Sequence, residues 1–447
     1  MTEMKSKIKI LIIAAALTLS MLATACDSGT EGGPDEGGFP TITDTNGAVI
    51  QTKAPDGEEI PVLSNGTVLS TGDNAPAGTG TGTDANFESA MAQIATKGEI
   101  TTLSEAQASR YAYSSLSDEE KLLYTELVDA VNNYKTKLTA SKKHSPETLE
   151  KVFKMVYQNE PSLIQMGSKF YNPGTDSKWL SIEYRCTQDE CNKMRAEMDE
   201  KVKTILSTIP SNASTIEQIY AVHDYLVTNV EFSEADELCK GAYGPLVRGG
   251  GNCDGYSKAS AYIFDKMGIE NVLVLGKNGT GADALSHAWN LINVDGEWYV
   301  FDATWDDPAN ITDPTYLRHN FLMVTDAEIL GITHFMTMPY YTPPTASGTK
   351  HDYFKTKGLY ASSAAEGEEM IKKAVLEAAK TGQKQIQVKF ASKAAFDEAH
   401  KKLIDNKGLN ALLEETNKTS SKKVDTNTYT NHTDKKLLII HFGVTYK

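Results

Sequence analysis

The dipeptide Asp295-Gly296, which joins two alternating segments, constrains the fold more than any other feature of the sequence. An Asp-Gly pair in this setting is one of the strongest short-range signals for a β-hairpin with a two-residue turn. It predicts strands at Ser286–Val294 and Glu297–Asp302. In the register that such a turn imposes, His287 and Asp302 share one face of the hairpin as diagonal neighbours, within reach of each other. A loop of odd length would place the two side chains on opposite faces.

A cysteine earlier in the chain lies at the predicted start of a helix. The segment Gly249–Gly251 and then Asn252 precede Cys253, and apolar residues follow at helical spacing. Asn is a good N-cap, so Cys253 falls in the first turn, where unpaired backbone N–H groups and the helix dipole favour a thiolate. The glycines are predicted to let the backbone approach a ligand closely. The sequence thus offers a nucleophile, an imidazole and a carboxylate for covalent catalysis.

These residues resemble the transglutaminase-like superfamily over about residues 215–310. The resemblance rests on three motifs in the order Cys, His, Asp: Gly251–Tyr256 (GNCDGY), His287–Asn290 (HAWN) and Trp298–Trp305 (WYVFDATW). It implies a papain-like α+β core. It also implies that Cys253 is the nucleophile, His287 the general base and acid, and Asp302 the orienting carboxylate.

The chemistry that this resemblance implies is acyl transfer through a thioester. Cys253 attacks an amide carbonyl, His287 protonates the departing amine, and water or another amine releases the acyl group. We expect an enzyme acting on peptide or protein amide bonds, with hydrolysis favoured over cross-linking because water needs no second specific site. The Cys253 backbone N–H is the predicted oxyanion donor, and Tyr243 and Trp289 are candidates for a second donor or a groove wall. We expect neither a cofactor nor a metal ion.

Other interpretations of the same residues remain open. A non-catalytic module with this fold would hold a wall peptide or a glycan without turning it over. A zinc site is compatible with the ligand types of Cys253, His287 and Asp302, although no Cys-x-x-Cys motif or close histidine pair supports it. A disulfide between Cys239 and Cys253 would silence the enzyme. The pair Cys186–Cys191 is either a local bridge or two free thiols.

Several aromatic and polar residues receive a structural interpretation. Three tryptophans are interpreted as core residues or groove walls rather than as ligand-stacking residues: Trp289, Trp298 and Trp305. His223 lies at an inward-facing helical position, which favours a hydrogen-bonded core histidine over a catalytic helper. Asp306 and Asp307 are predicted to shape the turn before Pro308, and a calcium role is the alternative.

The first 25 residues have the pattern of a secretory signal. Three lysines precede an apolar stretch from Ile10 to Ala23, and small residues follow. The run Leu22–Cys26 resembles the lipobox of bacterial lipoproteins, which implies cleavage before Cys26 and a lipid thioether on its sulfur. An ordinary signal peptide cut near Ala25 is the alternative. We therefore expect a bacterial surface lipoprotein, exported and lipid-anchored to the outer face of the cytoplasmic membrane.

Residues 26–86 are predicted to be a disordered tether. Residues 27–86 contain twelve Gly, ten Thr and five Pro, with ten acidic residues against Lys53 alone. Such a composition buries too little apolar surface to offset the entropy of ordering. The formal net charge of −15 is therefore concentrated here, and residues 87–447 carry only −8 of it. The acidic balance excludes a nucleic-acid binder, which needs a basic face.

The remaining residues are predicted to form three domains. These are a mainly helical N-terminal domain over 87–210, a transglutaminase-like catalytic domain over 211–345 and a C-terminal α/β domain over 346–447. One short strand, Ile182–Arg185, is predicted in the first of them. The fold class is therefore α+β, and the expected partners are a peptide or protein substrate, associated with the cell wall, and a membrane reached only through the lipid anchor.

Overall fold

The computed structural model describes residues 103–280, 284–307 and 316–447, together with a short antiparallel pairing of Ile42–Thr43 with Val49–Ile50. The predicted signal peptide, the predicted lipidation site at Cys26 and the remainder of the predicted tether lie outside the described residues. From Leu103 onward the described residues belong to one compact unit. Within the described part of the chain, no helix combines the length and apolar character needed to cross a bilayer.

The first region of this unit combines helices with a three-stranded antiparallel sheet. The helices are Glu105–Ala108, Tyr111–Ser114, Asp118–Asn132 and Pro146–Asn159. The strands, in spatial order, are Lys137–His144, Ser177–Tyr184 and Met166–Tyr171. The expectation of a single short strand was therefore wrong. The first strand, for example, is rich in lysine and has few β-branched or aromatic residues, so its pairing with a distant strand, rather than local propensity, sets its conformation.

A five-stranded antiparallel sheet forms the centre of the molecule. Its strands, in spatial order, are Leu322–Val324, Glu297–Phe301, Ser286–Val294, Asn271–Lys277 and Phe335–Met336. The long helices of this region are Gln188–Ser207, Thr215–Asn229 and Cys253–Met267. The prediction assigned the first of these helices to the N-terminal domain, but its buried residues Met198, Val202 and Ile205 belong to the hydrophobic core of the central region.

Short elements complete the central region. The helical turns are Glu237–Lys240, Gly244–Arg248, Ala303–Asp306, Asp326–Ile329 and Tyr353–Thr356. A two-residue parallel pairing joins Glu231–Phe232 to Gly250–Gly251, immediately before the helix that starts at Cys253.

The C-terminal region is an α/β unit, as expected. Its strands, in spatial order, are Tyr360–Ala361, Gln385–Phe390, Ile439–Tyr446 and Val424–Asn431. Its helices are Ala364–Thr381, Lys393–His400 and Gly408–Asn417, with a helical turn at Lys401–Asp405. The last helix and the strand Val424–Asn431 were not predicted. That strand lies at the sheet edge and consists largely of Thr and Asn, which gives it no clear apolar alternation.

Buried charged contacts join the three regions. Arg110 donates to Glu160 (3.2 Å) in the first region and to Asp265 (2.7 Å) on the helix that begins at Cys253. Lys389 of the C-terminal sheet donates to Glu328 of the central region at 2.6 Å. Because a buried charge without its partner is costly, these contacts hold the regions in a defined arrangement.

Candidate active site

The hairpin forms in the predicted register, with Val294 opposite Glu297. The turn residues Asp295-Gly296 have φ values of 56° and 82°. Two consecutive positive φ values are those of the type I′ turn, whose twist matches the twist of the flanking strands. His287 and Asp302 consequently come together as the sequence predicted.

The His287 imidazole donates a short hydrogen bond to the Asp302 carboxylate. The distance from Nε2 to Oδ2 is 2.6 Å, and both side chains are buried. The other carboxylate oxygen, Oδ1, accepts the Trp305 backbone N–H at 3.0 Å. Burial by itself raises the pKa of Asp302, but the charge on His287 and the hydrogen bonds from His287 and His334 outweigh it and hold that pKa well below its ordinary range. Asp302 is therefore an ionised acceptor at neutral pH.

The protonation of His287 follows from its two neighbours. Burial lowers the pKa of His287, but the Asp302 carboxylate and a hydrogen bond with Cys253 raise it by more, to about 9. Because Nε2 faces Asp302, the contact with Cys253 uses Nδ1. The imidazole is thus protonated at neutral pH and lies between a carboxylate and a thiol, which is the arrangement that supports a nucleophilic thiolate.

The helix that carries Cys253 begins as predicted. The Asn252 side chain caps it by accepting the Gly255 N–H at 3.2 Å, and the backbone carbonyl of Asn252 accepts the Tyr256 N–H at 2.9 Å. Cys253 is partly exposed and carries a free thiol. The amides of Cys253 and Asp254 belong to the first turn, where the helix itself supplies no acceptor, so they are the nearest backbone donors for an oxyanion.

Two glycines near Cys253, one of them in the predicted segment Gly249–Gly251, are closely packed against other parts of the protein. A side chain on Gly251 would overlap the Pro245 ring, and one on Gly255 would overlap the Cys239 carbonyl. Close packing within the protein therefore requires glycine at these two positions.

The two candidates for a groove wall or second oxyanion donor lie in different surroundings. Trp289 is fully buried, with its ring stacked on His287 at 5.7 Å, so it supports the imidazole from below and contributes no surface to a groove. The Tyr243 hydroxyl donates to Glu197 at 2.7 Å, a contact that would have to break before this hydroxyl served an oxyanion. Trp305 is partly exposed, and its ring centroid lies 5.1 Å from that of His287, which is compatible with its interpretation as a core residue or groove wall.

Among the described residues, no other cysteine forms a disulfide with Cys253. Cys186 and Cys191 form a disulfide, with their Cα atoms 5.9 Å apart, which settles the open choice in favour of the bridge. Cys239 is buried and free, and its sulfur lies 3.7 Å from the Ser233 hydroxyl. Cys253 is likewise free in this state.

A second buried cluster surrounds His223. Its Nδ1 lies 3.2 Å from Asp224 and its Nε2 lies 3.1 Å from Asp306. Because a carboxylate only accepts hydrogen bonds, both ring nitrogens carry protons. Burial lowers the pKa of His223, but the two carboxylates raise it by more, to about 9. The interpretation of His223 as a hydrogen-bonded core histidine is thereby confirmed.

Asp306 was predicted to shape the turn before Pro308, and that prediction was incomplete because Asp306 also contacts distant segments. It is fully buried, and besides His223 it accepts the backbone N–H groups of Asn320 (2.9 Å) and Phe321 (3.0 Å). It therefore joins the helix Thr215–Asn229 to the chain that leads into the central sheet. Asp307 accepts the Tyr256 hydroxyl at 2.6 Å.

Sequence reasoning missed His334, which shares the carboxylate of the candidate triad. Its Nε2 lies 2.9 Å from Asp302 Oδ2, although the two residues are 32 positions apart. No local motif marks this histidine. It reaches the site because Phe335 pairs with Lys277 at the edge of the central sheet, and such an edge pairing of a two-residue strand leaves no signal in the sequence.

Two clusters among the described residues have ligand atoms close enough to hold a metal ion. One cluster consists of His223, Asp224 and His319, and the other consists of His287, Asp302 and His334. In both clusters, the potential ligand atoms lie close together because imidazole nitrogens donate hydrogen bonds to a carboxylate. Cys253 belongs to neither cluster, so the zinc site considered from sequence, with Cys253 as a ligand, is not the arrangement found.

Residues 203–303 match the profile of the transglutaminase-like superfamily. Kyphoscoliosis peptidase of Mus musculus is 27% identical over 162 residues, and the Homo sapiens protein of that name is 26% identical over 161 residues. Each match covers 32% of this chain and 23% of the relative, so the matched region spans about a quarter of either relative's length. The chain therefore contains a transglutaminase-like domain.

Solved structures with some similarity include a protein from Cytophaga hutchinsonii that its description gives as a candidate cysteine protease. It shares 16% sequence identity over 31% of this chain and 60% of that chain, with a TM-score of 0.22. A structure described as a TGase shares 14% identity over 40% of this chain and 53% of that chain, with a TM-score of 0.25.

Proposed function

We propose that this protein is a cysteine acyl-transfer enzyme that acts on peptide or protein amide bonds through Cys253, His287 and Asp302. One observation carries the proposal. The buried His287 ring contacts the Asp302 carboxylate at 2.6 Å through Nε2, and Cys253 lies close enough to the ring to raise the pKa of the imidazole. A buried imidazole that lies between a thiol and a carboxylate, and whose pKa is raised, is placed to activate the thiol as a nucleophile.

The first half-reaction forms a thioester. The Cys253 sulfur attacks the carbonyl carbon of the amide, and first-turn amides of the helix stabilise the oxygen that becomes negative. As the C–N bond breaks, His287 Nδ1–H gives its proton to the departing amine, which leaves as a neutral molecule. Asp302 keeps the Nε2 proton in place, so the ring presents Nδ1 toward the reacting atoms.

The second half-reaction regenerates the thiolate. His287, now neutral, takes a proton from water while the water oxygen attacks the thioester carbonyl. The products are a carboxylic acid and the original thiolate–imidazolium pair. An amine in place of water gives a new amide instead, and this is the chemical difference between peptidase and cross-linking activity. We propose hydrolysis, because the transamidation route requires a second bound nucleophile.

Alkylation by iodoacetamide tests this proposal without knowledge of the substrate. We expect Cys253 to react faster than Cys239, the other free thiol among the described residues, because Cys253 is partly exposed and lies beside an imidazolium. The rate at neutral pH is expected to fall about tenfold or more in His287→Ala, since the thiolate then loses its counter-charge. Mass spectrometry of the alkylated peptides measures both rates.

A buried histidine far from the site provides the matched control. His400 lies in the C-terminal region and contacts Asp405 at 3.4 Å, so His400→Ala is expected to leave the alkylation rate of Cys253 unchanged. Equal alkylation of Cys239 and Cys253, unaffected by His287→Ala, would contradict the triad.

A module that binds peptides without turnover would retain binding in both the wild type and Cys253→Ala, with product from neither.

We also propose that the protein is exported and lipid-anchored at Cys26. The lipobox-like run before Cys26 supports this, and so does the Cys186–Cys191 bridge, since disulfides persist in oxidising compartments. Wild-type protein expressed in a bacterial host with a lipoprotein pathway is expected to partition into the detergent phase. Cys26→Ala is expected to move it to the aqueous phase, and equal partitioning of the two proteins would contradict lipidation.

A further inference from the structure

The carboxylate of Asp302 accepts hydrogen bonds from two imidazoles at the same oxygen. Oδ2 lies 2.6 Å from His287 Nε2 and 2.9 Å from His334 Nε2. Oδ1 is occupied by the Trp305 backbone N–H. Asp302 is thus fixed by three donors on three different segments of the chain, and only one of them belongs to the candidate triad.

The proton on His334 can be placed from its neighbours. Asp302 is ionised and only accepts hydrogen bonds, so His334 Nε2 carries the proton that lies between them. On the other side of the ring, Nδ1 lies 2.9 Å from the Thr333 hydroxyl. Whichever of these two atoms donates, Nε2 carries the proton that an orienting donor to the Asp302 carboxylate needs.

The backbone around His334 holds this ring in place. The amides of Ile332, Thr333 and His334 all donate to the Ile329 carbonyl, at 3.1, 2.9 and 3.0 Å. The Gly331 amide donates back to the His334 carbonyl at 2.8 Å. These four main-chain hydrogen bonds fix the direction of the His334 Cα–Cβ bond, and the contacts at Nδ1 and Nε2 then hold the ring.

We propose that His334 is a positioning residue for the candidate triad, and that its Nε2–H keeps Asp302 Oδ2 directed at His287. Without this donor the Asp302 carboxylate loses one of its three fixed contacts and can rotate away from the His287 Nε2–H. The His287 ring would then no longer be held with Nδ1 toward Cys253. This inference rests on the proposed function and adds a fourth residue to it.

The ring of His334 also packs in an aromatic cluster, so a packing role must be separated from a donor role. Its centroid lies 4.8 Å from that of Trp289, 4.7 Å from that of Trp305 and 5.1 Å from that of Phe321. If His334 only fills space, any aromatic side chain at position 334 preserves the candidate site. If His334 positions Asp302, a side chain at position 334 with an N–H that reaches Asp302 preserves it.

Three substitutions distinguish the two roles. His334→Phe keeps an aromatic ring and removes the donor. His334→Gln removes the ring, but its side-chain amide reaches about as far as the histidine Nε2. His334→Asn also introduces a side-chain amide, but one too short to reach Asp302. The Gln and Asn variants therefore form a matched pair that differs in whether the amide N–H can donate to Asp302.

The readout is the rate of Cys253 alkylation by iodoacetamide at about pH 6.5 divided by the rate at about pH 10, per folded molecule. This ratio reports the thiolate that depends on the imidazolium, rather than overall stability. We expect His334→Phe and His334→Asn to lower the ratio by about tenfold to a hundredfold, as the loss of a hydrogen bond to a charged group does. We expect His334→Gln to stay within about threefold of the wild type.

Each other outcome overturns the inference. A ratio retained in His334→Phe and lost in His334→Gln assigns His334 to packing, and equal ratios in the Gln and Asn variants exclude the donor role. If His334→Phe does not fold, the Gln–Asn comparison alone decides. Failure of the proposed function has a different signature, since alkylation of Cys253 would then be insensitive to His287→Ala, whatever stands at position 334.

Discussion

Replacing His287 with alanine is expected to lower the turnover of peptide substrates by about 10²- to 10⁴-fold, the usual contribution of a general acid and base. The reason is that the departing amine loses its proton donor and the attacking water loses its proton acceptor. Cys253→Ala is expected to abolish thioester-dependent turnover, because no other free thiol among the described residues lies at the helix start. Turnover is measured by mass spectrometry on a peptide library prepared from bacterial surface proteins.

Two control variants separate catalysis from folding in this experiment. Cys239→Ala removes the buried free thiol, and His400→Ala removes a buried histidine of the C-terminal region. Neither side chain lies in the candidate site, so both variants are expected to retain turnover. Undiminished turnover in Cys253→Ala would show that the product arises elsewhere.

Replacing Asp306 with asparagine is expected to lower the free energy of unfolding by about 3–5 kcal/mol, the cost of breaking a buried ion pair by removing one partner. The buried His223 imidazolium loses one of its two carboxylates. Two backbone amides, those of Asn320 and Phe321, also lose a charged acceptor. The matched control Asp397→Asn changes an exposed helix pair with Lys393 and is expected to have little effect. Chemical denaturation measures both variants, and equal losses would contradict this account of the cluster.

The same cluster predicts how stability depends on pH. The pKa of His223 rises from its ordinary 6.5 to about 9 on folding. A group with a raised folded-state pKa stabilises the protein below the unfolded pKa, and this contribution is lost as the pH rises through the folded value. The unfolding free energy of the wild type is therefore expected to fall between about pH 6.5 and about pH 9, by about 3 kcal/mol for this histidine. His287, with its pKa also near 9, adds to the loss over the same window.

Asp306→Asn is expected to make this pH dependence shallower, because one of the two carboxylates that raise the pKa of His223 is gone. Unfolding free energies measured at about pH 6.5 and about pH 9 for both proteins provide the comparison. An unchanged slope would contradict the assignment of His223 as a buried imidazolium held by Asp306.

Most of the candidate site follows from local rules and was therefore predictable. The turn Asp295-Gly296 sets the register by its length, and the register sets which side chains share a face. The N-cap Asn252 sets the start of the helix and so the place of Cys253. These features require no knowledge of distant pairing.

The remainder depends on contacts between distant segments. His334 enters the site through the pairing of Phe335 with Lys277, and the strand Lys137–His144 forms through its pairing with Ser177–Tyr184. The strand Lys137–His144 is rich in lysine and carries little β-propensity, and the pairing at Phe335 is only two residues long. In both, the partner strand rather than the local residues stabilises the extended backbone. The helix Gln188–Ser207 falls within the predicted N-terminal domain, but its buried residues pack in the central core.

The thioester that we propose Cys253 forms with the acyl part of its substrate is tested most directly by one measurement. Wild-type protein is mixed with the peptide library, quenched in acid within the first turnover and digested, and the peptide containing Cys253 is examined by mass spectrometry. The account predicts an acyl adduct on this cysteine that neutral hydroxylamine removes, with the amine product formed in equal amount. Product formed by the wild type without an adduct on Cys253, and formed equally by Cys253→Ala, would contradict it.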